Sequence, residues 1–278
     1  MKPLKTKLIR LKEAVELIQD GSKIALGGNT LHRSPSAIVR EIARQRKKDL
    51  EVIKTAGAYD IDLLCAAGCI SAVSAGFVGY ENEFGLAPGF RKAAEEGRIQ
   101  VKENSCYTVI AGLRAAAYGI PFQPTTGLSG SQLPEAAGFK KVQDPYSGME
   151  VYIVPALRPD WAVLHVQECD PFGNARIYGT VFEDVLMASA AKAVILSTEK
   201  VISSQALSSQ PELTKIPGLF VRAVVELKGG AYPCSCYPYY DYDREHLRRY
   251  LELSKDKDHL EEYLYSMDAE VLKSPDRG

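Results

Sequence analysis

Short apolar runs separated by amphipathic stretches recur along most of this chain, and that alternation restricts the available folds more than any other feature. Lys23 to Leu26, Leu50 to Lys54, Ala72 to Phe77 and Ile99 to Lys102 have the length and apolar content of buried strands. Residues 11–18, 34–45, 61–67, 89–96 and 107–118 carry apolar side chains at helical spacing. Ser34 followed by Pro35 reads as an N-cap and first helical residue. Val151 to Val154, Trp161 to Val166, Ala193 to Ser197 and Ala223 to Leu227 continue the strand series, with a helix over Val181 to Lys192 and a charged helix from about Arg244. Repeated βα units with apolar strands predict an α/β fold: an open, mostly parallel sheet with helices on both faces and right-handed crossovers.

The same pattern lies on both sides of the Pro-, Gly-, Ser- and Thr-rich residues 123–148. That region is therefore expected to be a long functional loop within a single domain spanning residues 1–278. From about Tyr232 the chain turns aromatic and proline-rich, a segment that looks fit to cover a partner. Parallel sheets bind ligands at the carboxyl ends of their strands, so the loops beginning at Gly27, Gly76, Glu103 and Thr126 should share one edge where chemistry belongs.

Composition excludes some functions. With 34 basic and 35 acidic residues the net charge is -1, which leaves no broad field to hold nucleic acid or an anionic membrane. No run approaches the roughly 18 apolar residues of a membrane span, and the first residues lack a signal-peptide core. The six cysteines are scattered through a large chain, which predicts reduced thiols and a cytoplasmic location. Cys234 and Cys236 are too closely spaced for a CxxC pair, and neither a disulfide between them nor a metal site is expected.

Several residues bear on chemistry. In Leu26 to Ser36, paired glycines before a helix allow backbone N–H groups to approach an anion, or simply a tight turn; neither the GxGxxG nor the P-loop spacing is present. Arg33 adds a cation there, although an arginine at such a position is more often a solvated surface residue, and His32 is the histidine best placed to act. Glu103 ends a strand just before a helix, where the helix dipole favours a carboxylate in any case. Gly127 to Ser131 offers free amides for a carboxylate or thioester oxygen, although small-residue loops of this kind are mostly plain turns. His165 lies among apolar strand residues and reads as a satisfied core histidine, and Glu168 to Asp170 as a turn. No GxSxG elbow occurs.

DGSKIALGGNTLHRSPSAIVREIAR, GFVGYE, PGFRKAAEEGRIQVKE, AYGIPFQPTTGLSGS, HVQECDPFGNARIYG, EDVLMASAAKAVILSTEKVI and KGGAYPCSCYPYYDYDREH occur in that order and cover nearly the whole chain. Together they resemble the A subunit of glutaconate-type family I coenzyme A transferases. The resemblance implies a heterodimer pair, A2B2, with the active site at the A–B interface. It also implies an acyl-CoA and a carboxylic acid as substrates and no permanently bound cofactor. A glutamate of the B subunit would attack the thioester, giving an acyl anhydride and then a glutamyl-CoA thioester that a second acid captures. Carried over by position, Gly27, Gly28, Asn29, Phe77, Tyr80, Ser105, Ser129 and Ser131 would line the acyl side. Glu103 would support catalysis without being the nucleophile.

The chain also resembles the A subunit of a steroid-ring-opening CoA-thioester hydrolase, whose acidic base falls in the segment Glu103 to Cys106. If that position is Cys106 the base is missing here; if it is Glu103 the base is present. A non-catalytic α/β ligand-binding protein is the third reading.

Overall fold

The computed structural model describes residues 5–271. In chain order the elements are α1 (Leu11–Glu16), β1 (Lys23–Leu26), α2 (Ser36–Arg44), β2 (Leu50–Gly57), α3 (Tyr59–Ala66), β3 (Ile70–Val78), α4 (Glu81–Phe84), α5 (Pro88–Glu95), β4 (Gln100–Lys102) and α6 (Cys106–Ala117). There follow β5 (Phe122–Thr125), α7 (Leu133–Ala136), β6 (Lys140–Gln143), β7 (Glu150–Pro155), β8 (Trp161–Cys169), β9 (Ala175–Arg176), α8 (Asp184–Ala190), β10 (Ala193–Val201), α9 (Ser204–Ser208), β11 (Thr214–Ile216), β12 (Val221–Glu226), α10 (Arg244–Leu253) and α11 (Lys257–Val271).

The main sheet is parallel in the order β12, β10, β8, β1, β2, β3, β4, with β9 and β11 added antiparallel beside the far end of β8. Strand residues alternate between two cores, as the pleat requires. Ile24, Leu26, Val52, Val163, Ile195 and Val225 pack under α1, α2, α3 and α10. Ala25, Ile53, Leu164, Val166, Leu196 and Val224 pack under α6 and α8. Burying an aliphatic side chain of this size contributes about 1.5–3 kcal/mol, so the two faces carry most of the stabilisation.

Three expectations need correction. Residues 123–148 are not one loop: β5, β6 and β7 form a separate antiparallel sheet, joined to α6 through the cluster Ala111, Leu128 and Val154. The loop at Thr126 therefore follows a strand of this small sheet, not of the parallel one, and the four loops do not share one edge. Ser34 does not cap α2; its hydroxyl donates to Asp60 at 3.0 Å, Pro35 takes the cap position, and the helix starts at Ser36. Finally, the aromatic segment after Tyr232 packs back onto its own chain. Ser235 N–H donates to Leu31 O, Arg33 N–H donates to Ser235 O, and Cys234 and Cys236 are fully buried. All six cysteines are free thiols.

Candidate active site

Sheet order places the two halves of the chain on either side of the β1–β8 pair. From β1 the chain builds outward through β2, β3 and β4; from β8 it builds the other way through β10 and β12. Connections diverge at this switch point and leave a crevice at the carboxyl ends. β1 ends opposite Val163, whereas β8 continues to Cys169, and the loop after β1 occupies the resulting notch.

Two buried ion pairs hold that loop. Arg33 pairs with Asp184 at 2.6 Å, with side chains 4% and 0% exposed, and Lys54 pairs with Asp60 at 2.5 Å, both 0% exposed. Lys54 Nζ also donates to Gly27 O at 2.8 Å, and Gly28 N–H donates to Asp184 Oδ2 at 3.3 Å. The Gly27–Gly28 peptide is thus fixed at both its carbonyl and its amide. Gly28 has φ +68°, and a Cβ there would lie 2.3 Å from His32 O, so only glycine fits.

The amides of Gly27, Asn29, Thr30, His32 and Arg33 donate to Val163, His32, Ala56, Asn29 and Ser235 carbonyls. With these donors spent inside the fold, the loop is not an anion cradle, and its paired glycines serve close packing. Asn29 remains half-buried, with no side-chain hydrogen bond among the described residues.

Across the crevice, Thr55 near the end of β2 donates its hydroxyl to Glu183 Oε2 at 2.7 Å. The thiol of Cys106, first residue of α6, donates to Thr55 O at 3.4 Å. Burial, followed by the charge of Glu183, raises the Cys106 pKa. Gly76 lets α6 begin here, because a Cβ on it would lie 2.1 Å from Cys106 N. Phe182, just before Glu183, sits at φ 52°, an uncommon setting for a bulky residue.

The residues singled out from sequence fall in different places. Gly27, Gly28 and Asn29 border the switch point. Phe77 and Glu103 stand at the ends of the adjacent β3 and β4; Phe77 is 42% exposed, and Glu103 is exposed and takes no hydrogen bond among the described residues. Tyr80 points into the core, 0% exposed, and donates to Asp62 at 3.3 Å. Ser105 accepts from Thr108 N–H as the N-cap of α6 and forms a capping box with it. Ser129 donates to Thr126 O and Ser131 accepts from Leu133 N–H, both exposed turns on the loop after β5.

His32 bonds Ser235 Oγ at 2.7 Å and edges a small pocket with Thr30, Tyr80, Glu83 and Tyr242. His165 is fully buried with both ring nitrogens bonded, Nδ1 to Ser197 and Nε2 to Glu199. Burial would raise the Glu199 carboxyl, but His165, Tyr240 and Gly229 N–H outweigh it and hold the pKa low. Cys236 brings a sulfur within 4.8 Å of these two, so His165, Glu199 and Cys236 have the donor types of a metal site. Their polar atoms are already engaged with one another and with Ser197, Tyr240 and Gly229, as in a structural network.

Sequence reasoning missed Thr55 and Glu183. Thr55 precedes Ala56-Gly57 much as β1 runs into its own glycines, which was the available signal. Glu183 had none, since it meets Thr55 across 128 positions.

An open parallel sheet with a glycine-clamped switch point and carboxylates at its rim defines the class that the comparisons identify. The coenzyme A transferase family model matches residues 8–227. The chain is 35% identical to the A subunit of glutaconate CoA-transferase from Acidaminococcus fermentans, covering 90% of this chain and 84% of that one. It is 34% identical to the cholesterol ring-cleaving hydrolase IpdA subunit of Mycobacterium tuberculosis, covering 87% and 86%. It is also 36% identical to an uncharacterized protein of Archaeoglobus fulgidus, covering 94% of this chain but spanning only 60% of that protein's length. Among solved structures, the glutaconate transferase of Acidaminococcus fermentans superposes with TM-score 0.89 at 33% identity, over 94% and 88% of the two chains. The decarboxylase AibA/AibB superposes with TM-score 0.87 at 32% identity, over 95% and 100%. The chain belongs to the coenzyme A transferase family and is a homologue of its A subunits.

Proposed function

We propose that this chain is the A half of a two-subunit enzyme that moves coenzyme A between an acyl-CoA thioester and a carboxylic acid. The observation that carries the reading is the likeness, over nearly the full chain, to the A half of a known transferase in both sequence and fold. The covalent step falls to a glutamate of the partner. Its carboxylate oxygen bonds to the thioester carbon and CoA leaves as thiolate; the thiolate then attacks the glutamyl carbonyl of the anhydride and the acyl group departs as a carboxylate. The acceptor acid reverses these steps.

This chain's part is to wall the acyl side of that site. The clamped Gly27–Gly28 peptide gives a wall that does not reorganise, Asn29 offers a free amide, and Phe77 covers the mouth. Glu103 supports orientation or proton transfer. The CoA thioester is substrate, no cofactor is held permanently, and the assembly is a cytoplasmic A2B2 of single-domain A chains, without nucleic-acid or membrane partners.

A hydrolase reading stays in view because of the likeness to the IpdA protein and because Glu103 stands free at the rim. Co-purification with the partner, followed by an acyl-CoA screen with and without acetate, tests the proposal. Turnover that requires acetate supports transfer; acetate-independent thioester or ring cleavage overturns it.

A further inference from the structure

The loops after β1 and β3 meet over the end of β2. Thr30 N–H donates to Ala56 O and Gly79 N–H donates to Gly57 O, both at 3.0 Å, so the last residues of β2 hold one loop on each side. Between the loops lies a pocket of about 180 Å³, lined by Thr30, Leu31 and His32 from the first, by Tyr80 to Glu83 from the second, and by Tyr242. Thr55, which bonds Glu183 at the crevice, directly precedes Ala56. Asn29 and His32 exchange backbone hydrogen bonds of 2.9 and 2.8 Å, which puts the pocket and the switch point on one turn.

Thr30 enters that pocket under strain. It is β-branched yet sits at φ 42°, in the left-handed region, where such a residue is an outlier of the kind that gathers at functional sites. It is 3% exposed, and its hydroxyl has no hydrogen-bond partner among the described residues. His32 reaches the pocket from the same turn. Ser235 Oγ holds its Nδ1 at 2.7 Å, and Tyr242 lies edge-on to the ring with centroids 6.2 Å apart. Its Nε2 makes no hydrogen bond among the described residues. Opposite, Glu83 is engaged by Tyr242 and Arg244, whereas Glu81 is exposed and forms no ion pair among the described residues.

We propose that Thr30 and His32 are specificity-determining residues that bind a hydroxyl group on the acyl chain and make the enzyme select hydroxyacyl thioesters over their unsubstituted counterparts. The assignment rests on the proposed transferase reading and deepens it. A hydroxyl both donates and accepts, so it pairs with Nε2 in either tautomer and with the Thr30 hydroxyl at the same time. It brings no charge to set against Glu81. An unsubstituted chain would desolvate both polar groups and leave them unpaired. The rule concerns the hydroxyl alone, and thioesters whose far end is a carboxylate fall under it equally.

Two series of probes are assayed with acetate on the co-purified A–B complex: butyryl-CoA with its 2-, 3- and 4-hydroxy derivatives, and glutaryl-CoA with 3-hydroxyglutaryl-CoA. A hydroxyl at the matching position is expected to raise kcat/KM by about tenfold, equal to ~1.4 kcal/mol. Thr30→Val and His32→Phe each narrow that ratio several-fold through a higher KM for the hydroxy thioester. Thr30→Ser, which keeps the hydroxyl, retains it. The wild-type comparison needs no variant to fold. No gain from a hydroxyl in either series, or a ratio that Thr30→Val and His32→Phe leave unmoved, overturns the subsite while leaving transfer intact. Absence of acetate-dependent transfer from any thioester overturns the transferase reading and the subsite with it.

Discussion

Glu103 and Asp62 show how differently two carboxylates behave on one fold. Glu103 is exposed and takes no hydrogen bond from a described side chain, so its replacement costs the fold nothing. Glu103→Gln should leave the melting temperature unchanged and lower turnover of the assembled enzyme by about 10²-fold, as expected for a lost acid–base or orienting group. Near-wild-type turnover would return Glu103 to an ordinary surface residue. Asp62 is buried, and burial lifts its pKa from 3.8 to about 6 against hydrogen bonds from Phe90 N–H, Tyr250 and Tyr80. Because the folded value lies above the unfolded one, the folded chain keeps a proton that the unfolded chain releases between about pH 4 and 6. Stability therefore falls as pH rises through that window, by up to ~3 kcal/mol. Asp62→Asn removes the titration, so its melting temperature relative to wild type should climb from pH 4 to pH 7. A flat difference would contradict the assignment.

At the scale of elements, the loop between β1 and α2 depends on charges supplied by β2, α3 and α8. Lys54→Met would leave Asp60 buried without its cation and free the Gly27 carbonyl, for a loss of about 3–5 kcal/mol in urea unfolding. A loss under about 1 kcal/mol would mean the clamp does not hold the loop. Most elements were legible because apolar period marks them: β1 has its expected bounds and α10 starts at Arg244 as read. Where polar residues lie inside a strand, the reading stopped short. β2 continues past Lys54 through Thr55 to Gly57, and β10 past Ser197 through Glu199 to Val201, with Glu183 satisfying Thr55 and His165 satisfying Glu199 from distant positions. The small sheet escaped notice because β6, Lys140–Gln143, is exposed throughout and is held by pairing with β7. The glycine turn of the candidate site was readable from spacing. Its ion pairs and Glu183 were not, since they join residues that only the crossover topology brings together.

Across the whole molecule, the proposed reading makes this chain a wall of the site and assigns the nucleophile to its partner. The rim it presents carries carboxylates, a half-exposed Phe77 and an open groove at Tyr107. The chain purified alone should transfer no CoA to acetate, and activity should appear when its partner is added. The decisive experiment is to incubate the A–B complex with acyl-CoA, quench it, and locate the covalent CoA thioester by peptide mass spectrometry. The adduct is expected on a glutamate of the partner, with none on this chain. An adduct on Glu103 or Glu183, or acetate-dependent transfer by this chain alone, would contradict the division of labour between the two halves.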